Sequence, residues 1–119
     1  MKLPAAIVLT ALGAASACAA EDQRAALMGA GATPCAGYSE AFRQSGMDAE
    51  AVFFSWAQGF MSALNLIRME RKEPLYDLSA ISVPEQGARL RKLCADRPLV
   101  PYAYAVEDLM KTFPELPPR

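Results

Sequence analysis

Residues 51–67 read AVFFSWAQGFMSALNLI, and this stretch decides the fold. Val52, Phe53, Trp56, Phe60, Ala63, Leu64 and Ile67 recur at helical spacing as one broad apolar stripe, which Phe54, Ala57, Met61 and Leu66 widen. A helix apolar on so much of its circumference belongs in the middle of a bundle, touched by the other helices. The remaining strip, Ser55, Gln58, Gly59, Ser62 and Asn65, is small and polar, suited either to water or to the close approach of another backbone. Membrane insertion is disfavoured. The run is interrupted by Gln58 and Asn65 and bounded by Asp48, Glu50 and Arg68, whereas a spanning helix needs roughly 20 predominantly apolar residues.

Outward from this helix, the punctuation of the chain sets the other elements. Asp48 is the expected N-cap of the long helix, which should run to about Arg71 before Pro74 stops it. Before it, Cys35 to Gln44 places Cys35, Tyr38 and Phe42 on one helical face, and Ser45-Gly46 ends that helix. After it, Leu75 to Ile81 is an apolar connector, extended and packed across the helices. Ser82-Val83-Pro84-Glu85 joins a capping box to a first-turn proline and opens a third helix with Val83, Gly87, Leu90 and Cys94 on one side. Pro98 and Pro101 separate it from a fourth helix, Pro101 to Thr112, whose inward face is Tyr102, Val106, Leu109 and Phe113. Residues 114–119, with three prolines, read as a tail. Residues 21–34 read as a flexible arm, in which Gly29-Ala30-Gly31 is a linker rather than a phosphate loop, because no strand precedes it. The expected fold is all-α, a small four-helix bundle-like domain over residues 35–113 with core positions Tyr38, Phe42, Phe53, Trp56, Phe60, Leu64, Leu90, Val106 and Leu109.

Met1 to Ala20 has the pattern of a secretory signal peptide: Lys2, an uncharged apolar run from Ala5 to Ala15, then small residues. Two cleavage patterns compete. Cutting after Ala20 leaves Glu21 first, while cutting after Ala17 exposes Cys18 for lipid attachment. Export puts the chain in an oxidising compartment, where paired cysteines become cross-links. After ordinary cleavage two cysteines remain, Cys35 and Cys94, which allow one internal pairing. The 12 basic residues less Lys2 leave 11 against 13 acidic, a formal net charge of −2. No stretch is basic enough to coat a nucleic-acid backbone. The chain contains no histidine, no Gly-x-Ser-x-Gly turn and no metal-ligand spacing, so neither an enzyme nor a cofactor- or metal-binding protein is expected.

The order of motifs is a leader, Cys35 opening a short helix, Trp56-Ala57-Gln58-Gly59-Phe60, Cys94, Asp96-Arg97-Pro98 and Tyr102-Ala103-Tyr104-Ala105-Val106. It resembles small periplasmic helical proteins of the HdeA-like class, and is similar also to the Rap/Tai immunity-protein group. The matching positions are Cys35, Tyr38, Trp56, Gly59, Phe60, Cys94, Pro98, Ala105, Val106 and Leu109. The first resemblance implies a periplasmic protein with one disulfide that opens in acid and shields unfolding clients. The second implies binding and blocking a toxic effector from competing cells. Without histidine, an acid trigger must lie among carboxylates such as Glu40, Asp48, Glu50, Glu70, Asp77 or Glu85. A specific partner, if acidic, would be met by Arg68, Arg71 and Lys72 at the end of the long helix, by Arg89, Arg91, Lys92 and Arg97 around the third, and by Tyr76. The Phe-rich helix leaves room for a dimer.

Overall fold

The computed structural model describes residues 26–119, so the leader, the alternatives at Cys18 and the start of the arm lie outside the described residues. Four helices carry the fold: α1 (Cys35–Ser45), α2 (Met47–Glu70), α3 (Val83–Asp96) and α4 (Tyr102–Met110). Two short strands, β1 (Leu75–Tyr76) and β2 (Glu115–Leu116), pair antiparallel with Leu75 opposite Leu116 and Tyr76 opposite Glu115. The all-α class holds, with one Cys35–Cys94 disulfide whose Cα atoms lie 4.7 Å apart. The disulfide ties the first turn of α1 to the last turn of α3.

Gly46 explains the sharp turn between α1 and α2. Its amide donates to the Phe42 carbonyl, closing α1, and its carbonyl accepts from the Glu50 amide, opening α2. Its φ of 55° is the backbone conformation that glycine adopts at least cost. Asp48 is therefore not the N-cap of α2. The cap position is Gly46, two residues earlier, and Asp48 stands in the first turn, where an acidic side chain suits the positive end of the helix. At α3 the Ser82 hydroxyl does accept from the Glu85 amide, at 3.4 Å, but the Glu85 carboxylate turns away to Arg89 and leaves the capping box half made.

The prolines before α1 and α4 work together. Helix starts leave amide donors without intrahelical partners, and here each helix borrows acceptors from the approach to the other. Cys35 and Ala36 donate to the carbonyls of Val100 and Pro98, and Tyr102 donates to that of Thr33. The arm is correspondingly no loose linker over its described part. Gly29–Ala32 forms a single 3-10 turn against α2 and α4, with Gly31 buried beneath the Trp56 ring.

The core contains Tyr38, Phe54, Ala57, Met61, Leu90, Tyr102, Val106, Leu109, Met110 and Phe113 around the disulfide. Phe42, Phe53, Trp56, Phe60 and Leu64, expected as core, are half-buried; the last four pack against it. The buried arc of α2 is rotated from the expected stripe toward Glu50, Phe54, Ala57 and Met61. Val52 is 66% exposed, Leu66 and Ile67 also face solvent, and Ala63 joins them. The apolar arc of α2 is too broad for its periodicity to fix the centre of the inward side, so packing chose it. Val83, placed on the inner side of α3 by sequence, is likewise exposed, whereas Gly87, Leu90 and Cys94 are buried.

The expected free tail is partly paired. Besides the strand register, the Asp77 amide donates to the Pro114 carbonyl. Asn65 of α2 completes this corner: its side-chain amide donates to the Tyr76 carbonyl at 2.9 Å and its side-chain oxygen accepts from the Tyr76 amide at 3.0 Å. The polar strip of α2 thus does both things its composition allowed. Ser55, Gln58, Gly59 and Ser62 face solvent, and Asn65 grips a backbone.

Candidate interaction surfaces

The one carboxylate buried among the described residues is Glu50, whose side chain is 7% exposed. It sits where three helices meet. Arg91 of α3 forms an ion pair with Glu50 Oε1, and the Tyr38 hydroxyl of α1 donates to the same oxygen at 3.4 Å. The Arg91 guanidinium also lies over the Phe42 ring, 4.8 Å from its centroid. Gly87 makes room for this junction, because a methyl group there would stand 2.3 Å from Glu50 Oε1. The negative charge is felt beyond the ion pair. Burial first, and then the charge of Glu50, push the Tyr38 phenol well above its ordinary value. Burial likewise raises Tyr102 of α4, with Tyr38 and Glu50 adding to it.

Sequence order alone names Glu50 as one acid among many. The signal that singles it out is its place at helical spacing before Phe54, Ala57 and Met61, a lone acid on an otherwise apolar arc. α3 meets α2 chiefly here, while the disulfide joins α3 to α1.

The cations expected to face a partner are mostly engaged within the chain. Arg89 pairs with Glu85, Lys92 with Asp96, and Arg97 with Asp108. Arg91 belongs to the Glu50 junction. Arg68 donates to the Pro74 carbonyl, pairs with Glu115 at 3.3 Å and lies over the Tyr76 ring, fastening α2 to the strand pair. Of the cations expected from sequence, Arg71 and Lys72 are exposed with no ion pair among the described residues. Surface pairs of this kind contribute little to stability, but they do remove the picture of one free basic patch. Leu75 of the connector is buried, and Tyr76 and Leu78 are half-buried.

Two of the surface depressions adjoin these residues. One, of about 300 Å³, gathers Leu64, Arg68, Arg71, Tyr76, Met110 and Lys111 at the far end of α2. The other, of about 270 Å³, opens between the N-terminal turns of α2 and α3 above Glu50. No group of three or more metal-ligating side chains lies together among the described residues, and no helix there is long and apolar enough to cross a membrane. No protein-family model, curated protein or solved structure matches the chain.

Proposed function

We propose that the chain is an exported, periplasmic protein of HdeA-like type that binds other proteins, closed at neutral pH and opened in acid to shield unfolding clients. One observation carries this reading: α2 is held to α3 through a buried carboxylate, while α1 and α3 are held together by a covalent bond. Carboxyl groups gain protons below about pH 4. A neutral Glu50 no longer attracts Arg91, and the half-buried guanidinium loses the ion pair that holds it to α2. The groups facing Glu50 are Tyr38 of α1, Arg91 of α3 and, through its field, Tyr102 of α4. Neither phenol changes charge in acid, so the ion pair alone responds. At the same time 11 basic residues of the cleaved chain lose their acidic counterparts and repel one another. Once the junction with α3 gives and repulsion also parts α2 from α1, α4 and the 3-10 turn that cover it, α2 presents Phe53, Phe54, Trp56, Phe60 and Met61, apolar side chains suited to unfolded clients, while the disulfide keeps the remainder from dispersing.

The oxidised protein should suppress aggregation of several unrelated clients near pH 3, followed by light scattering, and should not do so at neutral pH. Glu50→Gln, a neutral isostere, should move the onset to less acid conditions. Failure to protect any client in acid would remove this reading. A second reading, a neutral-pH inhibitor of a secreted antibacterial effector, rests on the depression that brings Arg71 and Tyr76 together. It requires capture of one partner at neutral pH and its loss in Arg71→Glu.

A further inference from the structure

We propose that the cleft between the first turns of α2 and α3 is a binding site for an aromatic side chain bearing a hydrogen-bond donor, a tryptophan or tyrosine presented by a partner protein. The inference concerns the closed form at neutral pH and stands apart from acid opening.

The cleft is walled by Met47, Ala51 and Phe54 on one side and Val83, Pro84 and Gly87 on the other, and Glu50 lines it from beneath. Met47 is 67% and Val83 53% exposed, so the mouth is open to a group arriving from solvent. A carboxylate offers about four lone-pair sites on two oxygens. Glu50 Oε1 takes both Arg91 and Tyr38, and Oε2 accepts no hydrogen bond among the described residues. An apolar cavity of this size over a single unused, nearly buried acceptor is complementary to a guest with a flat apolar body and one polar N–H or O–H. Indole and phenol rings have that form, and such rings are the usual anchors of protein contacts. A cationic guest fits less well, because Arg91 already neutralises Glu50 and its guanidinium lies beside Gly87. The absence of a side chain at Gly87 leaves the carboxylate reachable from the cleft, and the pliant Met47 thioether at the rim favours an aromatic neighbour.

The test is a titration of the oxidised full chain at neutral pH with N-acetyltryptophanamide, read by NMR amide shifts. Saturable shifts are expected at Ala51, Ser55, Val83 and Gly87. The analogue methylated on the indole nitrogen, which keeps the ring and loses the donor, should bind about tenfold more weakly. Ala51→Leu fills the cleft from an exposed position without touching the Glu50–Arg91 pair and should abolish the shifts. Unmoved amides at the solubility limit, equal binding of the methylated analogue, or undiminished binding by Ala51→Leu would each overturn the proposal.

Discussion

Two glycines, Gly31 packed on α2 and Gly59 within it, give opposite expectations for the same change. A methyl at Gly31 would stand 2.0 Å from Cζ2 of Trp56, so Gly31→Ala must displace the indole or the turn. Overpacking of this kind costs about 1–3 kcal/mol, measurable by urea unfolding with the chain's single tryptophan as reporter. At Gly59 a methyl meets nothing within 4 Å, and Gly59→Ala in this exposed helical position should stabilise by about 0.5–1 kcal/mol. Tyr102 is the third informative residue. Its hydroxyl is buried without a hydrogen-bond partner, so Tyr102→Phe should be neutral or stabilising at neutral pH. The folded chain holds the Tyr38 and Tyr102 protons more tightly than the unfolded chain, where phenols ionise near pH 10. The folded state thus retains more protons than the unfolded state above that value. Stability contributed by these groups is fully present below about pH 10 and is lost as the pH rises beyond it. Tyr102→Phe should flatten that alkaline decline, and an unchanged slope in unfolding titrations would contradict the burial of the phenol.

At the level of elements, what was legible in the sequence followed the punctuation. Ser45-Gly46, Ser82-Val83-Pro84 and Pro101 mark the boundaries of α1, α3 and α4 to within a residue or two, because caps and prolines act on the local backbone wherever the chain goes. The inward side of α2 was not legible, since only a periodic contrast reveals a face and this helix has little. The β1–β2 pair was also hidden. Two-residue strands in a proline-rich tail carry no alternation, and their register is set by Asn65 and Arg68 reaching from α2. Ending the chain after Phe113 removes the Asp77 to Pro114 bond, the strand pairing and the Arg68–Glu115 contact together. The expected loss is about 1 kcal/mol, with faster exchange of the Asp77 amide and an unaltered core. Unchanged exchange at Asp77 would show that the tail does not pair in solution.

For the whole molecule, the division between covalent and electrostatic ties is the organising feature. Cys35 and Cys94, 59 positions apart, are the two cysteines beyond the leader, so their count alone allows one pairing, and the loop they close contributes about 4 kcal/mol on a chain-entropy view. Glu50 is one of 13 acids in the sequence, marked only by its helical spacing from Phe54, Ala57 and Met61; its burial depends on the rotation of α2, on Gly87 yielding space and on Arg91 arriving from α3, none of which is local. Reduction should therefore lower stability at every pH, whereas acid should act first on the α2–α3 junction. Hydrogen exchange of the oxidised protein, resolved by peptide and compared between neutral pH and about pH 3 after correction for intrinsic rates, tests this division directly. Loss of protection concentrated in Met47–Glu70, with protection retained where Cys35 and Cys94 are joined, is the expected result, and Glu50→Gln should show it at higher pH. An α2 as protected in acid as at neutral pH, or a chain that opens everywhere at once, would contradict it.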